Sequence, residues 1–328
     1  MLIPILLFIV GLVLLIKGGD WFVDGATGIA KKFKIPEVLI GATVVSIGTT
    51  LPEVMVSATS AFSGHGEIAY GNAIGSIICN TALIAAITMV FRPAKIDREP
   101  LKFPVAVFFI AAAIYTAIAC FMGTFERWTG FLLLAIFIVY MAISAYTAIK
   151  GQKSEPALQD GEAVAEEEVD NKTLIKNIVF LVIGAALIAF GADLLVDNGT
   201  LIAQALGVPE SVIALTFIAI GTSLPELVTA ITSLIKGHGA LSLGNIIGAN
   251  LFNLVLVSSV SVIVNPFAIP NNNQVMGINS SLIVDIPVMF FVMAFMTIPA
   301  LIRGKISRIQ GIVLLGVYAA FCAFQFMI

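Results

Sequence analysis

Two glutamates set in apolar surroundings offer the chemistry of this chain. Glu53 ends the hexapeptide Gly48-Thr49-Thr50-Leu51-Pro52-Glu53, and Glu226 ends a second copy, Gly221-Thr222-Ser223-Leu224-Pro225-Glu226. A carboxylate in the middle of a membrane-grade segment is costly, and such residues face a protein interior or a water-filled cavity where ions bind or move. Pro52 has no N–H, so the Gly48 carbonyl loses its helical partner, and Gly48 loosens the same turn. The helix is therefore expected to break there, offering the Gly48 and Thr49 carbonyls as ligands beside Glu53. Pro225 is expected to free Gly221 and Thr222 in the same way.

Side-chain spacing extends each site. Ser46, Thr49, Thr50, Glu53 and Ser57 recur at three- and four-residue steps, a polar stripe along one helix face. Asn72, Ser76 and Asn80 follow on the next helix, and the second copy offers Thr222, Ser223, Glu226 and Thr229, then Asn245, Asn250 and Asn253. Every donor is oxygen, which suits Ca²⁺ or Na⁺ and suits zinc or copper poorly. One Ca²⁺ neutralises two glutamates, and two or three Na⁺, or protons, do so instead. Mutually exclusive occupancy of one carboxylate pair by either class of ion is what an antiporter requires. The competing reading, that Gly, Pro, Ser and Thr here only kink and pack a helix, fits a single copy better than two copies in register.

The elements that hold these residues follow from composition. Of 328 residues, 59% are hydrophobic and 11% charged, with a mean hydropathy of +1.06. The apolar residues come in blocks of about 20, the length of a membrane-spanning helix. The lipid bilayer is thus the surrounding partner, and a net charge of −3 argues against nucleic acid. Cys79, Cys120 and Cys322 lie in apolar segments without CxxC spacing and read as small core residues. The apolar start lacks the basic flank and cleavage site of a signal peptide and is expected to persist.

Sliding the chain against itself by 173 positions superposes Gly11, Gly18, Asp20 and Asp24 on Gly184, Gly191, Asp193 and Asp197, and both hexapeptides on each other. Pro36-Glu37 falls on Pro209-Glu210, Gly64-His65-Gly66 on Gly237-His238-Gly239, Gly71-Asn72 on Gly244-Asn245 and Asn80 on Asn253. Chance similarity between greasy segments matches Leu and Ile, not Asp, Asn, Pro and His. Apolar blocks fall at roughly 2–24, 37–62, 67–91, 103–123, 128–149, 174–203, 209–235, 240–264, 280–302 and 308–327. The expected fold is an all-α integral membrane protein of ten transmembrane helices, arranged as two inverted five-helix repeats. The repeats occupy 1–150 and 174–328, joined by an acidic linker at 151–173.

Of the 17 Lys and Arg residues, all but Lys17 and Arg127 fall in loops on one side of this arrangement. The positive-inside rule then places both termini extracellular and the linker in the cytoplasm. The linker's Glu162, Glu166, Glu167, Glu168 and Asp170 read as a solvated connector before a regulatory cation loop. Asn271-Asn272-Asn273 reads as an exposed turn. Asp20, Asp24, Asp193 and Asp197 lie near expected helix ends, where capping or a loop contact competes with a role in ion access. His65 and His238 read as turn residues, with a proton-linked role as the alternative; without an H-E-x-x-H pattern they form no metalloprotease centre.

On the two segments Gly41 to Leu83 and Ala214 to Leu256, with their G-T-[TS]-L-P-E and G-N-x-I-G-x-x-x-x-N motifs, the chain resembles the cation/Ca²⁺ exchanger superfamily, specifically prokaryotic Na⁺/Ca²⁺ exchangers. The resemblance implies four ion sites at mid-membrane, with Glu53 and Glu226 as the principal Ca²⁺ carboxylates and the Thr49 and Thr222 carbonyls completing that site. It also implies Thr50, Ser223 and Ser76, with the carbonyls of Ser46 and Ala219, as Na⁺ ligands, and Asn80 and Asn253 as the central polar pair. The first and sixth helices are then expected to slide across the other eight. Two positions depart from the pattern: relatives often carry Asp where Asn253 stands and Ser where Ala249 stands.

The reading is therefore a Na⁺/Ca²⁺ antiporter of the cell membrane with no cofactor and no enzymatic activity, functional as a monomer. The alternative is Ca²⁺/H⁺ antiport by the same glutamates. A channel would want rotational symmetry about a pore, and a hydrolase would want a nucleophile with its base, which these spans lack.

Overall fold

The computed structural model describes residues 2–93, 95–154, 171–205, 221–270, 274–275 and 277–327. The helices are α1 (Leu2–Lys32), α2 (Glu37–Phe62), α3 (Gly66–Phe91), α4 (Glu99–Met122), α5 (Arg127–Ser154), α6 (Asn171–Ala205), α7 (Leu224–Ile235), α8 (Gly239–Val264), α9 (Ser281–Arg303) and α10 (Arg308–Met327). Among the described residues nine of these are long and apolar enough to cross a membrane, and α7 is shorter. The all-α membrane fold with inverted repeats is thus in place. Among the described residues, strand pairing outside the helices joins Thr124–Phe125 to Phe267–Ala268 and Gln274–Val275 to Ile278–Asn279, with a single bridge between Lys95 and Lys305. Asn271, Asn272 and Asn273 lie outside the described residues, as do 155–170 of the linker.

The repeats meet along α1 and α6. A Cβ built on Gly11 would stand 2.8 Å from the Gly191 carbonyl oxygen, and one on Gly191 would stand 2.9 Å from that of Gly11. Gly18 and Gly184 repeat the relation at 3.0 and 2.8 Å. These reciprocal approaches express a two-fold relation between the halves, and only glycine permits them. Leu15, Phe22, Val23, Ala26, Ile188 and Ala192 fill this seam as one apolar cluster. The main core, spanning α3, α4, α5, α8, α9 and α10, is a separate cluster.

Helices run past the apolar blocks that announced them. The first apolar block ends near residue 24, yet α1 continues to Lys32. Gly25 explains part of this, because a side chain there would lie 2.5 Å from the Asn177 carbonyl, so the seam with α6 extends a further turn. Asp20, Asp24, Asp193 and Asp197 accordingly sit inside α1 and α6 rather than at their ends.

Candidate functional site

Four helices, α2, α3, α7 and α8, converge at the centre of the molecule. They bury Ser46, Thr49, Thr50, Glu53, Ser76, Asn80, Ser223, Glu226 and Asn253, and leave Thr222 half-buried. Ala219 lies outside the described residues. Both glutamate side chains are 0% exposed, and among the described residues neither carboxylate finds a hydrogen-bond partner. The Thr50 and Ser223 hydroxyls and the whole amides of Asn80 and Asn253 are buried and unpartnered as well.

Unpaired buried carboxylates are strongly disfavoured, so oxygens left in this condition around the two glutamates make this cluster the candidate site. The site is built from helix irregularities. Asn80 opens a π-helical turn at Asn80–Ala85, and Asn253 opens its counterpart at Asn253–Val257. A further π-turn, Gly41–Val45, precedes Ser46. Such turns redirect side chains and leave carbonyls short of partners, and nothing in residue type or spacing announces them.

The expected break at proline occurs in one copy. α7 is described from Leu224, with Pro225 in its first turn behind a turn at Thr222-Ser223 that separates it from helical Gly221. The first copy differs, since the helix runs unbroken from Ser46 to Phe62 with Pro52 inside it. Pro52 withdraws a donor from the Gly48 carbonyl there without ending the helix.

The repeats are stitched across the site by bonds between twins. The Thr49 hydroxyl donates to Asn245 Oδ1 at 3.2 Å, and the Thr222 hydroxyl donates to Asn72 Oδ1 at 3.3 Å. The Ser46 hydroxyl also reaches across to the Asn245 carbonyl at 3.0 Å, while within the first repeat Asn72 Nδ2 donates to the Glu53 carbonyl at 3.3 Å. Asn72 and Asn245 were visible as members of the polar stripes, and the structure makes them braces between halves. Asn250 turns away from this group, donating to the Thr81 hydroxyl at 2.7 Å.

The model of the family described as sodium/calcium exchanger protein matches residues 3–146 and 176–327, nearly the whole chain. This chain belongs to the sodium/calcium exchanger family. A putative antiporter, CaxA of Alkalimonas amylolytica, is 34% identical over 337 residues, covering 100% of this chain and 99% of that protein. The sodium/calcium exchanger MaX1 of Methanosarcina acetivorans is 31% identical over 352 residues, covering 98% of each. A solved structure of the sodium-calcium exchanger NCX_Mj, soaked with 10 mM Na⁺ and zero Ca²⁺, superposes with a TM-score of 0.80 at 31% identity over 98% of this chain and 99% of that one. The exchanger is thus a multi-pass membrane transporter, not an enzyme, and its family moves Na⁺ and Ca²⁺ without a cofactor.

Two pairs outside the centre also have partners in this exchanger. Lys236, in the α7–α8 turn, holds Asp24 Oδ1 at 2.8 Å, which gives the first-repeat aspartates the loop contact weighed from sequence. His238 Nδ1 lies 2.8 Å from Glu37 Oε1 and ties the same turn to the start of α2.

Proposed function

We propose that this exchanger is a secondary antiporter that trades Na⁺ for Ca²⁺ by alternating access at a site centred on Glu53 and Glu226. The observation that carries the reading is the pair of fully buried carboxylates with no hydrogen-bond partner among the described residues. Burial in this state favours a bound cation over an empty, doubly charged site. Glu53 and Glu226 hold Ca²⁺ with the Thr49 and Thr222 carbonyls. Thr50, Ser223, Ser76 and the Ser46 and Ala219 carbonyls serve Na⁺, and Asn80 and Asn253 stand between. The name of MaX1 and the NCX_Mj likeness support Na⁺ as the driving ion.

The protein sits in the cell membrane as a monomer with both termini extracellular, a reading supported by the one-sided distribution of Lys and Arg. The repeats at 1–150 and 174–328 flank a cytoplasmic linker at 151–173, in keeping with the two blocks of the family match.

A specific observation keeps Ca²⁺/H⁺ exchange as a second reading. Ala249, buried at the position equivalent to Ser76, supplies no oxygen, and Asn253 brings no ionisable group. At that position the second repeat offers Na⁺ no hydroxyl, while both glutamates remain to take up protons. Proteoliposomes loaded with Na⁺ at equal pH on both sides, compared with vesicles carrying only a pH gradient, decide between the two by ⁴⁵Ca²⁺ uptake. Uptake driven by internal Na⁺ and collapsed by a Na⁺ ionophore supports the first reading; uptake driven only by the pH gradient replaces it with the second.

A further inference from the structure

The aspartates of α1 and α6 are twins in sequence and strangers in environment. On α1, Lys236 Nζ donates to Asp24 Oδ1 at 2.8 Å and to the Asp20 carbonyl at 2.9 Å, and lies 3.4 Å from Asp20 Oδ1. The residue equivalent to Lys236 in the first repeat is Ser63. Both belong to the same kind of turn, with Gly64 at φ +86° and Gly237 at φ +87°, so the difference is one of charge and not of backbone. The twins of the clamped aspartates, Asp193 and Asp197, are exposed and have no basic partner among the described residues. They line a cavity of about 170 Å³ together with Pro52, Gly221, Thr222 and Pro225, next to the hexapeptides.

Packing repeats the contrast. A Cβ on Gly19 of α1 would lie 2.7 Å from Val228 Cγ1 and 2.9 Å from the Thr232 hydroxyl, so α1 is pressed onto α7 beside Lys236. Its twin on α6, Ala192, faces the cavity with Pro52 and Val56 of α2. The α1–α6 pair is interlocked by its glycines, so whatever pins α1 also sets the position of α6.

We propose that Lys236 is an electrostatic latch on α1. It holds the α1–α6 pair in the register of this structure, closed beside the α7–α8 turn and open beside the aspartates of α6. Ser63 supplies no matching latch, so the two access states are unequal by design of one side chain. The proposal rests on the alternating-access reading above. Lys236 is a positioning residue, since it touches neither carboxylate of the ion site.

The test compares apparent Ca²⁺ affinity on the two faces of oriented proteoliposomes. With Lys236→Ser, the half-saturating Ca²⁺ on the face bearing the α7–α8 turn falls about fivefold relative to the opposite face, the scale expected for losing one partly exposed ion-pair cluster. Lys236→Arg keeps the wild-type ratio, Ser63→Lys, which adds the missing latch beside the α6 aspartates, shifts it in the same direction as Lys236→Ser, and Lys236→Asp with Asp24→Lys restores it. An unchanged ratio in well-folded Lys236→Ser protein overturns the latch. Should that variant fail to fold, Asp24→Asn removes the same pair from the other partner and is read identically. Hydrogen–deuterium exchange of residues 21–32 supplies a readout independent of transport: the latch requires faster exchange in Lys236→Ser. Faster exchange in a protein that moves no Ca²⁺ would count against the antiport reading and leave the latch standing.

Discussion

Asn72 and Asn245 occupy the same place in the two repeats, and they are satisfied differently. Each accepts a hydroxyl from the opposite repeat, Thr222 for Asn72 and Thr49 for Asn245. Asn72 also donates from Nδ2 to the Ser57 hydroxyl at 2.8 Å, whereas Nδ2 of Asn245 is buried with no partner among the described residues. The cause is legible in the sequence, because the twin of Ser57 is Ala230. Duplication has thus kept the Thr–Asn bonds that cross between halves and let one that braces a single half lapse. The two glutamates and the Thr–Asn bonds between halves are two-fold, whereas the supports, and the Ser76–Ala249 pair, are one-sided.

The strongest test of that division is at the carboxylates. Glu53→Gln and Glu226→Gln should each reduce ⁴⁵Ca²⁺ exchange by at least ~100-fold, because each removes half the charge that balances a divalent ion in a low-dielectric centre. Size-exclusion profiles should stay unchanged, since neither carboxylate makes a hydrogen bond that folding would lose. A protein that tolerates one change and not the other would show that the two-fold chemistry is only apparent.

A smaller effect is expected at the cross-repeat bonds. Thr49→Ala and Thr222→Ala each delete one hydroxyl donor to a buried asparagine, a loss of about 1 kcal/mol per bond. Exchange should fall by a few-fold in both, and to a similar degree, as measured by initial ⁴⁵Ca²⁺ uptake. Thr49 stands to lose slightly more stability, since its hydroxyl is fully enclosed and that of Thr222 is half-buried. Equal Ca²⁺ affinity in wild type and both variants would reduce these bonds to packing.

Ala249→Ser makes the second repeat match Ser76. It adds one hydroxyl to a buried position, and apparent Na⁺ affinity should rise about two- to fivefold on the scale of a single added hydrogen-bonding oxygen. Counter-ion titration of Ca²⁺ uptake measures it. A rise confined to proton-driven uptake would favour the Ca²⁺/H⁺ reading instead.

What could be read from the residues was the chemistry and its duplication. Asp, Asn, Pro and His matching at one offset revealed the repeat, and an odd number of apolar blocks in each repeat implied the inversion that the α1–α6 glycines display. What could not be read was backbone detail. The π-turns that begin at Asn80 and Asn253 arise from how four helices crowd one point, which no local pattern encodes. Proline removes a donor and so predicts a break at Pro52, yet in the fold the helix runs on through it from Ser46 to Phe62. Lys236 looked like one more positive-inside residue, and only the folded chain brings Asp20 and Asp24 to it from 212 to 216 positions away.

The mildest change goes back to Asn245. Ala230 is fully buried, and its twin Ser57 shows that a hydroxyl at this position of the repeat reaches the neighbouring asparagine. Ala230→Ser should therefore give Asn245 Nδ2 the acceptor it lacks and raise thermal stability, by roughly 1 kcal/mol if the new bond forms with the geometry seen in the first repeat. The added oxygen is small, but a packed core resists added volume, and overpacking works against the gain. The reverse change, Ser57→Ala, strands Nδ2 of Asn72 with only the Glu53 carbonyl at 3.3 Å and should cost about as much or more. Differential scanning fluorimetry in detergent reads both. Opposite signs for the two variants, with exchange rates nearly unmoved, would place the asymmetry in the supports. Like signs would mean that Asn245 already has a donor's partner in the membrane-embedded protein, and that the two halves are more alike than their sequences.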